Sequence, residues 1–358
     1  MPRFDASRRI RAGLRDFAAY VPGRQPPDGE GWIKLNTNES PWPPSPRVLE
    51  AIRAAVDDSL RLYPSPVAEA ARTAIAGHHG VSEAMVSVGN GGDELLELCF
   101  RAFAGSGDRV AIPHPTYPLL EPLAALHEAR AAMHPLRPDW RLPASFAADE
   151  APLKFLVNPN SPTGTWFDGA VVRDVVERSA GVVVLDEAYV DFAPEDRLDL
   201  VREGSDRVIV VRTFSKSHAL AGMRIGYAVA PPELISALDL VRDSYSVDRL
   251  AIAAAAAAIA DREHHDALVA YVVSEREWLV GQLVALGFEV LPSATNFVCC
   301  RPPSGVTAAG QQEALGRRRV LVRHYAQAPL EGWLRITVGT RAQHESLLRA
   351  LETEEVTG

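Results

Sequence analysis

Residues 181–216 read GVVVLDEAYVDFAPEDRLDLVREGSDRVIVVRTFSK, in which the β-branched runs VVVLD and VIVVR flank a helical stretch. A strand, a helix and a second strand in this order are typical of a βαβ unit, whose two strands lie parallel in one sheet. This stretch therefore predicts an α/β fold.

The same alternation continues on both sides of this stretch. The additional runs are MVSV, RVAI, AAMHPL and KFLV before it and IGYAVA after it. IGYAVA follows VIVVR too closely for a full crossover helix, so we expect it to be the antiparallel strand of the set. The seven runs together predict a mostly parallel sheet of seven strands in a large domain.

The pattern changes after about residue 231, where long helices, one of them the alanine-rich segment 250–260, precede a helix and strand mixture with few strands. Such a mixture favours a smaller α+β domain. Proline and glycine cluster near the N-terminus, as in an extended arm. The predicted limits are an N-terminal arm at 1–40 that is part of the small domain, a large domain at 41–245 and a small C-terminal domain at 246–358.

Composition excludes several classes of protein. The chain has 358 residues and a net charge of −9, which argues against nucleic acid as a main partner. It contains no apolar run long enough to cross a bilayer, and its basic N-terminus lacks the apolar core of a secretion signal. Its three cysteines lie in apolar stretches, and the neighbours Cys299 and Cys300 would point to opposite faces of a strand. We expect a cytoplasmic protein with reduced, buried cysteines.

Chemistry-bearing residues follow the predicted strands, where ligands bind in open α/β sheets. Asp186 ends one apolar strand, and Lys216 comes just after another, preceded by Thr213 and Ser215. After MVSV, the segment GNGGDELLEL opens a helix whose free N–H groups could bind a phosphate. Taken alone, Asp186 and Lys216 are each more often structural than functional, and a lone glycine-rich turn is equally often a plain turn or a phosphate site.

Taken together, these features match the needs of pyridoxal 5'-phosphate (PLP). This cofactor requires a lysine amine for a Schiff base and an acid opposite its pyridine nitrogen. It also requires donors for its phosphate, which the hydroxyl residues, the helix start and Arg224 could supply. The combination predicts a PLP enzyme anchored on Lys216.

The segment TFSKSHALAGMRIGY resembles the lysine segment of fold-type I PLP-dependent aminotransferases, particularly the histidinol-phosphate aminotransferase family. The similarity extends nearly end to end, and the matching segments are YVPGRQ, LNTNESPWPPSP, RLYPSP, GNGGDELL, PHPTYPL, NPNSPTG, LDEAYVDF, ATNFV and LRITVGT. The resemblance implies a large PLP-binding domain, a smaller domain and a homodimer with shared active sites.

The resemblance also implies a role for each matching residue. Lys216 would carry the cofactor and move the proton, Asp186 would pair with the pyridine nitrogen, and Tyr189 would hydrogen-bond the ring oxygen. The other implied cofactor contacts are Gly92, Asp93, Thr213, Ser215 and Arg224 at the phosphate, Tyr117 stacked on the ring, Asn160 at the ring oxygen and Tyr63 reaching the neighbouring subunit's cofactor. Ser161 stands where the family often has a second asparagine.

Four residues are expected at the substrate, again from the resemblance. Arg335 would bind an α-carboxylate, Arg323 would bind the phosphate of the donor, and Tyr20 and Asn38 would complete the pocket. The expected reaction transfers the amino group of L-histidinol phosphate to 2-oxoglutarate, giving imidazole acetol phosphate and L-glutamate.

Other functions remain open at this stage. The same scaffold serves aminotransferases for aromatic or other amino acids and PLP decarboxylases resembling the threonine-phosphate enzyme. A nucleotide-binding dehydrogenase is disfavoured because GNGGDE lacks the third glycine of its motif. A non-catalytic regulatory module would need an additional DNA-binding segment. The pairs His78–His79 and His264–His265 are interpreted as solvated surface, so no metal site is expected.

Overall fold

The computed structural model describes residues 10–11, 14, 20–27 and 30–352. Its largest sheet contains the seven predicted strands in the order β2-β8-β7-β6-β5-β3-β4, with strands numbered along the chain. Their bounds are β2 (Val86–Gly89), β3 (Arg109–His114), β4 (Arg130–Pro135), β5 (Leu153–Val157), β6 (Val182–Asp186), β7 (Val208–Thr213) and β8 (Gly226–Val229). Strand β8 runs antiparallel to β2 and β7, whereas the other pairs are parallel. The predicted sheet and its one reversed strand are confirmed.

Helices cover both faces of this sheet. In chain order they are α1 (Pro46–Ala54), α2 (Glu69–His79), α3 (Gly91–Phe103), α4 (Leu120–Leu126), α5 (Ala144–Ala147), α6 (Gly169–Arg178), α7 (Leu198–Arg202) and α8 (Pro232–Val241). Neighbouring residues of β5 show why the strands are mostly apolar: Phe155 packs into one core cluster and Leu156 into the other. A strand that is buried on both faces has no polar alternation.

The alanine-rich segment forms helix α9 (Arg249–Ala260), which begins where the Asp248 side chain accepts hydrogen bonds from the amides of Leu250 and Ala251. Helix α9 packs closely on α1 and α2. Small alanine side chains allow this close approach, and Ala254 and Ala255 are fully buried in the core of the large sheet. Residues 249–260 thus pack with the large sheet, although the predicted domain boundary lies at 245. The predicted domain limits stay predictions.

A second, four-stranded antiparallel sheet has the order β12-β13-β10-β9. The remaining elements are β1 (Ile33–Lys34), α10 (Arg262–Ala285), β9 (Glu289–Val290), β10 (Phe297–Arg301), α11 (Ala308–Arg317), β11 (Val320–Leu321), β12 (Arg323–His324), β13 (Leu334–Thr337) and α12 (Arg341–Glu352). Strand β1 of the arm pairs in parallel with β11, which ties the arm to this smaller unit.

The burial of Cys299 and Cys300 agrees with the expectation that they are reduced and lie on opposite faces of a strand. Cys299 and Cys300 are both free and buried, and they belong to different core clusters on opposite faces of β10. No helix within the described residues is long and apolar enough to cross a membrane.

The interpretation of the histidine pairs as solvated surface holds only for His78; the other three residues are buried or partly buried. His79 is buried and its Nε2 lies 2.8 Å from the hydroxyl of Tyr227. His265 is half-buried and lies beside Asp191. Of the first pair only His79 faces the protein, because adjacent helical residues point about 100° apart, which a simple count of polar residues does not capture. His264 is also partly buried and contacts Trp42 and the carbonyl of Pro43.

Candidate active site

A cavity of about 220 Å³ lies at the carboxyl ends of β6 and β7. Its predicted lining residues are Gly92, Asp93, Tyr117, Asp186, Tyr189, Thr213, Ser215, Lys216 and Arg224. Residues that sequence reasoning did not assign also line it: Thr37, Glu39, Leu96, Val157, Ser161, Ala188 and Ala221. The fold thus brings nine predicted cofactor residues to one place.

Lys216 is the lysine that is placed to react in this cavity. The chain has three lysines. Lys34 forms an ion pair with Glu39 at 2.5 Å. Lys154 is fully buried in β5, where its amine donates to the carbonyls of Phe146 and Ala147 at the end of α5. Lys216 lines the cavity, with its Nζ 5.6 Å from the centroid of the Tyr189 ring.

Asp186 is the last residue of β6 and reaches the cavity from the buried end of the strand. Its Oδ1 accepts a hydrogen bond of 3.0 Å from the amide of Ala188. Burial raises the pKa of Asp186 to about 7, an effect that this hydrogen bond and the amine of Lys216 only partly offset. A carboxylate in such a position favours a cationic or proton-donating ligand.

Tyr189 follows the same strand and is linked to the N-terminal arm. The amide of Asn38 donates to its hydroxyl at 2.8 Å, and both side chains are buried. Asn38 in turn interacts with Thr337 of β13 through its backbone amide and its Oδ1. Asn38 has a left-handed φ of 55°, which asparagine tolerates better than most residues. Asn38 therefore orients Tyr189 from outside the cavity wall instead of lining it.

The start of α3 forms a candidate anion site. Its N-cap residue Asn90 offers no side-chain hydrogen bond, which leaves the first amides of the helix free of a side-chain cap. Gly226 of β8 permits the close approach of the strand, because a Cβ there would lie 2.9 Å from the backbone of Gly91 and Gly92. The helix dipole and these amides favour a phosphate.

Polar side chains surround this helix start. Asp93 accepts a hydrogen bond of 2.9 Å from the hydroxyl of Tyr117 and one of 3.2 Å from Arg224. Opposite them, the hydroxyl of Thr213 donates to that of Ser215 at 3.0 Å. Burial raises the pKa of Tyr117 well above its usual value, so its hydroxyl stays protonated and can donate.

These residues fit PLP. The raised pKa of Asp186 suits a protonated pyridine nitrogen, and the uncapped start of α3 with Thr213, Ser215 and Arg224 suits a phosphate. Lys216 supplies the amine between the two. No other lysine has a position that meets the same needs within the described chain.

Arg323 and Arg335 lie directly opposite each other on β12 and β13. Arg323 donates to the carbonyl of Val21 in the arm at 2.9 Å, and Arg335 donates to that of Asn36 at 2.9 Å. The Nε of Arg335 is buried without a hydrogen-bond partner. No acidic side chain pairs with either arginine in the described part of the chain, so an anion would stabilise both.

Tyr325 is a residue that the sequence analysis missed. Its ring lies 5.4 Å from the guanidinium carbon of Arg323 and 5.8 Å from that of Arg335. Burial raises the pKa of Tyr325, with the arginines acting in the opposite direction. Strand β12 has only two residues, so periodicity could not identify Tyr325; the available signal was its position two places after Arg323 in the segment VLVRHY.

Some predicted contacts lie outside the cavity. Asn160 is buried, and its amide nitrogen already donates to the carbonyl of Pro115 and the hydroxyl of Thr163, whereas Ser161 lines the cavity. The assigned contact of Asn160 with the ring oxygen remains a prediction that this arrangement disfavours. Tyr63 is exposed and stacks on Tyr245 at 4.5 Å between ring centroids. The ring of Tyr20 lies 6.2 Å from that of Tyr117 at the edge of the site.

Comparison with known proteins agrees with this geometry. The model of the family "aminotransferase class I and II" matches residues 30–351. The histidinol-phosphate aminotransferase of Geotalea daltonii is 44% identical over 345 residues, which cover 96% of this chain and 98% of that protein.

Two solved structures illustrate the range of similar proteins. The histidinol-phosphate aminotransferase of Sinorhizobium meliloti in complex with PLP has a TM-score of 0.83 and 29% identity, and the match covers 99% of each chain. The L-threonine-O-3-phosphate decarboxylase of Porphyromonas gingivalis has a TM-score of 0.76 and 26% identity, covering 90% of this chain and 99% of the other.

Proposed function

Because this chain belongs to the class I and II aminotransferases and, within them, to the histidinol-phosphate aminotransferase family, we propose that it uses L-histidinol phosphate and 2-oxoglutarate as substrates. The products would be imidazole acetol phosphate and L-glutamate. The observation that carries the proposal is the presence of Lys216 and Asp186 in one cavity. It is joined by two neighbouring arginines on β12 and β13 that have no acidic partner among the described residues.

Bound PLP supplies an electron sink that stabilises negative charge on the substrate carbon which loses its proton. Lys216 would hold the cofactor, and its free amine would then accept the proton from that carbon and deliver it to C4′ of the cofactor. Asp186 would keep the pyridine nitrogen protonated. Tyr189, oriented by Asn38, would donate a hydrogen bond to the ring oxygen. The start of α3 and Arg224 would hold the phosphate.

The two arginines would recognise the substrates. A planar guanidinium binds carboxylate and phosphate oxygens in pairs. Arg335, with its unpartnered Nε, would bind the α-carboxylate of glutamate. Arg323 would bind the phosphate of histidinol phosphate and exchange its present hydrogen bonds to the arm for it. Tyr20 lies close enough to join this pocket.

Two further features belong to the proposal. Tyr63 and Tyr245 form an exposed aromatic pair, which supports a homodimer in which Tyr63 reaches the neighbouring active site. The three free, buried cysteines are consistent with a reducing compartment, so we place the enzyme in the cytoplasm.

Substitution of the arginines tests the substrate assignment. Arg323→Ala should lower kcat/KM for histidinol phosphate by about 10- to 150-fold, because it removes a charged hydrogen bond of about 1.5–3 kcal/mol, and should change glutamate much less. Arg335→Ala should show its largest loss with glutamate. Arg323→Lys, which keeps the charge and loses the paired geometry, is the matched control and should lie between.

Single-turnover reactions with each donor distinguish the rival functions. If phenylalanine converts the cofactor to its pyridoxamine form faster than histidinol phosphate does, the chain is an aromatic aminotransferase. Release of carbon dioxide from a phosphorylated amino acid would instead indicate a decarboxylase. Equal losses for both donors in Arg323→Ala would contradict a separate phosphate contact.

A further inference from the structure

Asp191, His218 and His265 form a compact group beside the lysine segment. Asp191 lies in the 3₁₀ turn Val190–Phe192, His218 is the second residue after Lys216, and His265 is in the first turn of α10. One side-chain donor atom from each residue lies within 4.8 Å of the other two. None of the three residues lines the active-site cavity.

The hydrogen bonds of His265 orient it as a ligand. Its Nδ1 lies 3.1 Å from a carboxylate oxygen of Asp266, which favours the tautomer with the proton on Nδ1. In the neutral ring, Nε2 then carries the lone pair and lies 3.5 Å from Oδ2 of Asp191. Burial lowers the pKa of His265, but Asp191 and Asp266 raise it overall, so a metal ion has to displace a proton from this ring. This Nε2 is buried without a hydrogen-bond partner. A carboxylate behind a histidine is the usual support of a metal-binding imidazole.

The other two residues are held in place by their neighbours. The carboxylate of Asp191 accepts a hydrogen bond from the hydroxyl of Ser217. The ring of His218 stacks on that of His265 with 4.5 Å between centroids, and it also contacts Phe214. All three side chains are partly exposed, so the group lies near the surface, although the Nε2 of His265 is itself buried.

The separations suit a small transition-metal ion. In a tetrahedral zinc site with bonds of about 2.0–2.1 Å, neighbouring ligand atoms lie about 3.4 Å apart. His265 and Asp191 already have this spacing. The widest separation in the group, at most 4.8 Å, needs to shorten by about 1.4 Å, which side-chain rotation can supply.

The charged residues around the group leave its donor atoms available to a metal ion. Arg212 is a nearby cation that acts on Asp191 more weakly than His265 and more strongly than His218, but its guanidinium pairs with Glu187 at 2.7 Å and Asp196 at 2.8 Å. Two imidazole nitrogens and one carboxylate form a ligand set that binds zinc with one position left for water.

We propose that Asp191, His218 and His265 bind one Zn²⁺ ion per chain. The ion would connect the first turn of α10 to the segment that carries Lys216. Its binding should therefore raise the thermal unfolding temperature of the protein. This inference does not depend on which substrate the enzyme uses, because it concerns a site outside the cavity.

Zinc affinity of the tag-free, chelator-treated holoenzyme tests the proposal, measured by competition with a chromophoric chelator. The wild type should bind one equivalent, and His218→Gln and His265→Gln should each weaken binding at least tenfold. His264→Gln is the matched control, because His264 precedes His265 on α10 but contacts Trp42 and Pro43 instead. It should bind zinc as the wild type does.

Two more variants keep the test independent of misfolding. Asp191→Asn keeps a hydrogen-bond acceptor for Ser217, and Asp266→Asn removes only the charge behind His265. Both should retain their PLP absorbance and unfolding temperature without zinc, yet lose about tenfold or more in zinc affinity. The proposal is overturned if the wild type binds zinc no more tightly than the His218→Gln, His265→Gln double variant, or if His264→Gln loses as much affinity as His265→Gln.

Discussion

Substitution of Asp186 by asparagine tests how the buried charge of this carboxylate affects stability with and without the cofactor. Asp186 is 6% exposed, lies at the end of β6, and accepts a hydrogen bond from a single backbone amide. Asparagine has nearly the same shape and keeps an acceptor for that amide. The substitution therefore removes the buried charge with little change in packing.

The expected change in the free energy of unfolding follows from the pKa of the Asp186 carboxyl. Burial raises the pKa from 3.8 to about 7. The unfolded chain releases this proton near pH 4 and the folded chain only near pH 7, so the unfolded state binds fewer protons between these values. Stability of the cofactor-free protein must then fall as pH rises through this window, by up to about 4 kcal/mol at 1.36 kcal/mol per pH unit.

The assay is urea unfolding of the cofactor-free wild type and Asp186→Asn at pH 5, 6, 7 and 8. The asparagine variant should become the more stable of the two, and the difference in the free energy of unfolding should grow between pH 5 and about pH 7 and then level off. Asp243→Asn, which changes a carboxylate with an 81% exposed side chain, should follow the wild type at every pH. With PLP bound the order should reverse, because the pyridine nitrogen then stabilises the carboxylate. A difference that is independent of pH would refute the reasoning.

Two further predictions test neighbouring parts of the site. Tyr189→Phe removes a hydroxyl that the side-chain amide of Asn38 orients. It should lower kcat/KM by about 2- to 12-fold, because a neutral hydrogen bond contributes about 0.5–1.5 kcal/mol. Unchanged kinetics would show that this hydroxyl makes no contact with the cofactor. Gly226→Ala places a Cβ 2.8 Å from the carbonyl oxygen of Arg212 and 2.9 Å from the start of α3, so the free energy of unfolding should fall by about 1–3 kcal/mol and PLP should dissociate faster. Gly222→Ala, where a Cβ meets no atom within 4 Å, is its control and should behave as the wild type.

The large sheet was predictable because most of its strands are buried on both faces. Six of the seven strands appear as largely apolar runs with β-branched residues between helical segments, whereas the edge strand β4 (RAAMHP) has none and is only partly buried. The short connection before β8 indicated its reversed direction. Strands β1, β11 and β12 have two residues each, which is too short for any periodicity. The pairing of the arm with β11 therefore depends on tertiary contacts that sequence patterns do not encode.

The candidate site was predictable where residues follow strands and unpredictable where side chains have several possible partners. Asp186 and Lys216 lie where the carboxyl ends of β6 and β7 place them. Asn160 matched a motif, but its amide is used by Pro115 and Thr163, a choice that sequence spacing does not determine. His265 was interpreted as surface because Asp191 and His218, with which it forms a group, are remote in sequence.

Reduction of the purified holoenzyme with borohydride, followed by peptide mapping with mass spectrometry, tests the central claim most directly. The chain has three lysines, so Lys34 and Lys154 serve as internal controls in the same digest. The pyridoxyl group should be found on Lys216 alone, and Lys216→Ala should retain no covalently attached cofactor. Attachment to Lys34 or Lys154, or no attachment at all in the wild type, would contradict the account.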